Sequence, residues 1–376
     1  MSGELKSVLL AAGGTGGHLF PAQALAEELQ RRAIPVDLVT DMRGDRYGIG
    51  FPARQIYRVP AATLAGRSPV AMARTAYLLA RGLVAAFQLL GKVKPAAVVG
   101  FGGYPTFPPL KAASLRGIPT ALHEQNAVLG RANRMLAKSV TRIATSFETT
   151  KLLGSELQPK ATLTGNPVRS AVIEAAQRAY VKPLPGDPIE LVVFGGSQGA
   201  RFFSETVPPA LAALPPDVRC RLNVVQQARA EDVDGVVAAY RNAGIRAEVA
   251  PFFRDLPQRI AGANLVIARS GASTVAELTV IGRPSILVPL PHALDNDQLQ
   301  NAQRLAESGA AWCIEQKHLS PARLAGDIGI LLGDPDGLAA VAAAAKSLGR
   351  PDAVGRLADL VVALMTVGRG APGAAP

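Results

Sequence analysis

Cysteine is scarce: Cys220 and Cys313 are the only two in 376 residues, too few for a disulfide framework. The four histidines, His18, His123, His292 and His318, are scattered and do not show the spacing of metal ligands, so no zinc cluster is expected. Both features suit a reducing cytosol. Aromatic residues make up only 5%, and basic runs interleaved with aromatics are missing, which argues against nucleic acid as a partner. No stretch reaches the ~18 uncharged apolar residues of a membrane span. The opening Met1 to Lys6 runs straight into the strand-like Ser7 to Ala12, leaving no room for a signal peptide.

The sequence is instead rich in apolar residues, at 48%, and carries a net charge of +11, a field that attracts phosphorylated small molecules or anionic lipid. Short apolar runs recur between helical stretches: Val8 to Ala12, Val36 to Thr40, Ala96 to Gly100, Thr120 to His123, Leu191 to Phe194, Leu222 to Val225, Leu265 to Ala268 and Ser285 to Pro289. Continuous runs of this kind imply strands buried on both faces, hence an α/β protein with doubly wound parallel sheets. The proline-rich Val181 to Pro188 separates two sets of runs, placing a linker near residues 165 to 188. Two domains follow, 1–165 and 166–350. The tail from Thr366 holds little besides Gly, Ala and Pro and reads as frayed.

Each half opens with a glycine-rich turn after its first strand, Gly13 to His18 and Gly195 to Arg201. Such turns let backbone N–H groups and a helix N-terminus approach phosphate, although either could be a tight turn alone. The first turn lacks the dinucleotide fingerprint, because Leu19 stands where a third glycine is needed, and no P-loop pattern occurs. His18, in the first turn of a helix whose positive end should hold it neutral, could act as a general base or orient the loop. After the strand Leu265 to Ala268, Arg269 to Glu277 opens another helix. Glu277 could accept hydrogen bonds from both ribose hydroxyls or be a solvated helix residue. Asp295, Asn296, Asp297, Gln298 and Asn301 suit a sugar pocket or a capped helix start.

Of two D-x-D triplets, Asp232 to Asp234 reads as a helix N-terminus, while Asp295 to Asp297 is better placed for ligand. Paired phosphate loops make a metal unnecessary, and none is expected. From Arg67 to Leu90 a helix carries Arg67, Arg74, Arg81 and Gln88 on a narrow stripe amid Leu78, Leu79, Leu83, Val84, Phe87, Leu89 and Leu90. It could be buried core, or a face that dips into an anionic membrane surface with Lys92 and Lys94 beside it.

Taken together, Gly13 to His18, Gly100 to Tyr104, His123 to Asn126, Thr164 to Arg169, Gly195 to Arg201, Arg269 to Glu277 and Asp297 to Ala302 resemble a bacterial transferase family through both halves. Its members add N-acetylglucosamine to undecaprenyl-linked muramyl-pentapeptide, converting lipid I to lipid II. The resemblance implies a GT-B fold, two Rossmann-like domains facing across a cleft, with a C-terminal segment, 351–376, returning to the first domain. It implies a UDP-GlcNAc donor held by Thr15, Gly16, Gly17, Asn126, Arg169, Ser197, Gln198 and Gln298, with Phe253 against the uracil through its backbone and Glu277 on the ribose. His18, Tyr104 and Glu124 fall on the acceptor side or in catalysis, His18 as base and Glu124 as the next candidate. The resemblance further implies no cofactor, a peripheral place on the cytoplasmic face of the inner membrane, and cell-wall and division proteins as partners. Two departures stand out: Asp297 replaces an expected His or Gln, and Gln226 to Arg229 replaces a His-containing segment. A UDP-GlcNAc epimerase of similar fold and a non-catalytic sugar-nucleotide or lipid sensor are the rival readings.

Overall fold

The computed structural model describes residues 6–13, 16–41, 50–60, 69–291 and 293–367. The chain divides into two compact units, Met1–Arg169 with Pro351–Pro376, and Ser170–Arg350. In the first, strands β1 (Val8–Ala11), β2 (Val36–Thr40), β3 (Gln55–Arg58), β4 (Ala97–Gly100), β5 (Thr120–Glu124), β6 (Arg142–Thr145) and β7 (Ala161–Leu163) form a sheet in the order β3-β2-β1-β4-β5-β6-β7. In the second, β8 (Ile189–Phe194), β9 (Leu222–Gln227), β10 (Arg246–Ala250), β11 (Leu265–Ala268), β12 (Ser285–Leu287) and β13 (Trp312–Cys313) pair in the order β10-β9-β8-β11-β12-β13. All ladders between these strands are parallel.

All eight apolar runs hold strands; β1, β2, β4, β5, β11 and β12 are buried along their whole length, while β9 alternates buried and half-buried residues. On β1, Val8 and Leu10 face one core while Leu9 and Ala11 face the other. The strands without such a run are short or peripheral: β3, β7, β10 and β13 are the sheet edges, and β3 and β10 are largely exposed. Half-solvated strands need no continuous apolar run.

Each sheet reverses its direction of winding once, between β1 and β4 in the first unit and between β8 and β11 in the second. Ligands of open parallel sheets bind beyond the strand ends at such a switch point. Gly13 to His18 and Gly100 to Tyr104 follow β1 and β4; Gly195 to Arg201 and Arg269 to Glu277 follow β8 and β11. Chain topology alone therefore gathers the sequence motifs in pairs.

The helix Ala353–Val367 belongs to the first unit. Its buried Leu357, Ala358, Val361, Leu364 and Met365 complete the core that Leu25 and Leu29 of the helix Gly16–Arg31 begin. Arg32 adds bonds to Glu28 (2.8 Å) and Asp359 (2.6 Å), which as partly solvated pairs contribute little beside the apolar contact. Leu357→Ala is therefore expected to lower the unfolding free energy of the first unit by about 2–5 kcal/mol, read by urea denaturation.

Candidate active site

In the first unit the site is built around a turn that only glycine makes cheaply. Gly102 and Gly103 have φ of 84° and 74°, in the left-handed region. The His18 ring lies directly on this turn: a Cβ placed on Gly102 would stand 3.3 Å from His18 Cε1, and one on Gly103 3.4 Å from Cδ2 and Nε2. Thr106 holds the turn from behind, its Oγ1 donating to the Gly103 carbonyl at 2.8 Å. Pro105, in the 3-10 turn Tyr104–Thr106, packs against Gly13, and Tyr104 stands half-buried at its start.

Burial lowers the His18 pKa below its usual 6.5, and the polar neighbours Gln125 and Phe101 oppose the shift. The shift is in the direction expected, but its largest cause is desolvation and not the helix end. His18 Nδ1 is buried and makes no full hydrogen bond. Below it lies a fixed network. His123 Nε2 donates to the Gly165 carbonyl (3.0 Å), Gln125 Nε2 donates to His123 Nδ1 (3.1 Å), and the same amide donates to the Phe101 carbonyl (2.9 Å). Burial pushes the His123 pKa down to about 4, so this ring is a neutral strut that sets one tautomer.

Glu124 is buried at the end of β5, and its carboxylate is fully engaged. Oε1 accepts from Asn126 N–H (3.0 Å) and Asn126 Nδ2 (3.3 Å); Oε2 accepts from Gly130 N–H (2.9 Å) and Asn133 Nδ2 (2.8 Å). Burial raises its pKa against the pull of these four donors. The geometry makes Glu124 the organiser of its own loop and fixes Asn126. Arg169 lies with its guanidinium 5.2 Å from the Phe20 ring. Thr15 is outside the described residues, while Gly16 and Gly17 open the helix Gly16–Arg31.

In the second unit the helix Gly196–Ala212 starts directly beyond β8. The side chains of Ser197 and Gln198 lie outside the described residues. Glu277 is 8% exposed on the helix Ala272–Ile281, which removes the reading of a solvated glutamate. Phe253 is also buried, with the Arg259 guanidinium 4.6 Å from its ring. Gln298 is oriented by two bonds: Oε1 accepts from Leu290 N–H (3.0 Å), and its carbonyl accepts from Ser270 Oγ (2.8 Å). Asp295 and Asn296 both adopt positive φ, 55° and 52°, a strained approach to the helix Asp297–Glu307. Asn296 makes no side-chain cap, so this segment is not a simple capped start. Burial raises the pKa of Asp297, whose Oδ1 accepts from Gln298 N–H at 2.7 Å. The other triplet does open a helix, Val233–Asn242, with Asp232 at its N-cap. Among the described residues no group of three or more His, Cys, Asp or Glu could hold a metal.

Two family patterns cover most of the chain: the glycosyltransferase family 28 N-terminal domain matches residues 8–145 and its C-terminal domain residues 190–357. The chain belongs to glycosyltransferase family 28. A Rhizobium etli protein named UDP-N-acetylglucosamine--N-acetylmuramyl-(pentapeptide) pyrophosphoryl-undecaprenol N-acetylglucosamine transferase is 52% identical over 357 residues, 95% of each chain. The crystal structure of Acinetobacter baumannii MurG is 29% identical, covers 95% of this chain and 99% of its own, and superposes with a TM-score of 0.79. A putative UDP-N-acetylglucosamine 2-epimerase from Listeria monocytogenes covers 96% of each chain with a TM-score of 0.68, but at 14% identity this likeness shows the fold alone. The family 28 assignment and the two parallel sheets make this a GT-B protein, and a hexosyltransferase.

Sequence reasoning gave no role to Asn133, which donates to Glu124, to Gln125, which donates to His123, or to Asn166, which is buried with both amide atoms unpartnered. Gln125 and Asn166 lie within the runs His123 to Asn126 and Thr164 to Arg169 but nothing in those runs singles either out, and Asn133 lies outside them. The His123 strut has a measurable cost in acid. Its folded pKa lies below its unfolded value, so the stability it contributes is present above pH 6.5 and lost as pH falls toward 4. With about 1.4 kcal/mol per pKa unit, His123→Gln is expected to flatten the fall in stability between pH 7 and pH 5 by about 2 kcal/mol, read by urea unfolding at both pH values.

Proposed function

We propose that this chain transfers N-acetylglucosamine from UDP-GlcNAc to the muramyl C4 hydroxyl of lipid I, with inversion at the anomeric carbon, giving lipid II. The observation that carries this reading is the 52% identity, over 95% of both chains, with a transferase named for that reaction. Inversion needs a base on the acceptor hydroxyl and stabilisation of the departing diphosphate. His18 serves as the base: burial lowers its pKa, and it stands at a switch point with its ring against Gly102 and Gly103. Glu124, with all four acceptor positions used, positions Asn126 and Asn133 and does not take the proton. Tyr104 completes the acceptor side.

On the donor side, the N-terminus of the helix Gly196–Ala212, the segment that carries Ser197 and Gln198, receives the diphosphate. Arg169 grips phosphate oxygens with its planar fork. Glu277 holds the ribose and the Phe253 backbone meets the uracil. Because Gln298 Oε1 is taken by Leu290, its amide N–H groups are left to donate to the sugar. His18→Ala is expected to lower kcat by about 10²–10⁴-fold with UDP-GlcNAc affinity unchanged, measured by labelled-sugar transfer to a short-chain lipid I analogue. In the wild type, the acid limb of kcat/KM should fall below pH 6.5, following the lowered His18 pKa. Retention of most turnover by His18→Ala would refute the base assignment.

The helix Pro69–Val93 supports a peripheral membrane face. Its Thr75–Val93 stretch has mean hydropathy 1.3, enough by length and composition to cross a bilayer, yet only 17% of it is buried. The buried-core alternative fails for that face: Tyr77, Val84 and Phe87 are exposed, as is Leu115 on the neighbouring helix. Spanning is disfavoured by the other face, where Ala86 and Leu90 enter the core and Gly82 abuts Pro60 and Pro108. Arg116 stacks on Phe87 at 3.8 Å, and Arg81, Lys92 and Lys94 are exposed nearby. Arg67 is outside the described residues. An amphipathic face of this kind lies in the interface of an anionic leaflet, here the cytoplasmic one that presents lipid I. Tyr77→Asp with Val84→Asp should abolish co-sedimentation with anionic vesicles while leaving the urea midpoint within error; unchanged retention would make this surface merely solvated.

A further inference from the structure

Gln227, the last residue of β9, sits in the segment that departs from the family pattern, and the site described so far gives it no task. It is half-buried, and both ends of its amide are used. Gly196 N–H donates to Oε1 at 3.1 Å, and Nε2 donates to the Pro251 carbonyl at 3.1 Å. One short side chain thus joins the turn that opens the helix Gly196–Ala212 to the loop that leads, two residues later, to Phe253. Between them lies a recess of 340 Å³ lined by Gly196, Gln227, Ala228, Arg229, Glu231 and Pro251. Ala228 N–H donates to the Ala250 carbonyl at 3.2 Å, so the backbone beside Gln227 is anchored and its amide has little freedom to wander.

The first N–H groups of a helix have no partner within it. Gln227 takes one, that of Gly196, whose φ of 65° is a left-handed conformation that glycine adopts at little cost. The N–H groups that follow are thereby left for an anion. At its other end the same amide fixes the loop that carries Phe253. We infer that Gln227 is a positioning residue for the UDP part of the donor: it sets the separation between the element that receives the diphosphate and the element that receives the base. This rests on the reading that the second unit holds the UDP-sugar.

The experiment is steady-state transfer with both substrates varied, UDP binding by calorimetry, and thermal midpoints, for wild type, Gln227→Ala, Gln227→Glu and Glu277→Ala. Gln227→Ala should raise the KM for UDP-GlcNAc and the Kd for UDP about tenfold, with kcat, acceptor KM and thermal midpoint nearly unchanged. Gln227→Glu should raise both further. It keeps the acceptor for Gly196 N–H, but sets a carboxylate against the Pro251 carbonyl and near the diphosphate. A donor KM within about twofold of wild type in both variants would overturn the proposal, and so would equal losses for both substrates with a lowered midpoint. Wild-type chain that fails to bind UDP, or Glu277→Ala that binds it normally, would refute the donor-site reading itself, and the proposal with it.

Discussion

The first unit depends on how closely backbone can approach the His18 ring. At the end of β4 the chain must turn beneath an imidazole carried on the helix after β1, and two consecutive positive-φ residues achieve this. An L side chain at either position would carry backbone strain and meet the ring at 3.3 to 3.4 Å, so tolerance is lost in two ways at once. Burial lowers the His18 pKa, and the Gly102–Gly103 turn is part of what lies against its ring. Beneath it, His123, Gln125 and the Phe101 carbonyl form a hydrogen-bonded base with no net charge, so no buried cation competes with His18 for a proton.

The two switch points share a topology but solve different electrostatic problems. In the first unit the buried polar groups include neutral His123 and a carboxylate wrapped by four donors. This arrangement suits a hydroxyl that must lose a proton. In the second unit the motif after β11 begins with Arg269, whose Nη1 donates to the Val288 and Pro289 carbonyls and Nη2 to Gln316 Oε1. With a helix N-terminus opening beyond β8, that side carries positive potential, which suits a diphosphate. The two units thus differ in the charge of the groups buried beyond their strand ends.

Much of this was legible in the sequence wherever burial on both faces leaves an apolar run or a turn demands glycine. Val8 to Ala12 and Leu265 to Ala268 could scarcely be anything but central strands, and the glycine turns fell at the switch points. Strands β3 and β10 were missed because an edge strand with one wet face keeps residues such as Gln55, Arg58, Arg246 and Glu248. The helix around Tyr77 to Leu90 stayed ambiguous for a related reason: composition reports that a surface is apolar, and only packing reports whether it is covered. Glu277 and Glu124 show the same limit for charge. Glu277 reads equally as a ribose ligand or a solvated helix residue and Glu124 as a candidate base, and only packing reports that both are buried.

Buried guanidinium groups complete the scaffold of the second unit. Arg283 is 1% exposed and donates to carbonyls of Ala261, Ile281, Gly282, Arg178 and Ala179. Two of these carbonyls, at Ala261 and Ile281, belong to the C-terminal ends of the helices Leu256–Gly262 and Ala272–Ile281, where the backbone dipole favours a cation. Burial lowers the pKa of both Arg283 and Arg269 to about 10, so each stays charged at neutral pH. Solvation lost on burial is replaced by carbonyls whose geometry the guanidinium then dictates. Arg269 also lies 5.4 and 5.0 Å from the rings of Phe202 and Phe203, on the helix that opens at Gly196. The ends of β8, β11 and β12 are therefore one connected assembly. Lysine, a point charge without the planar fork, could not span the same acceptors.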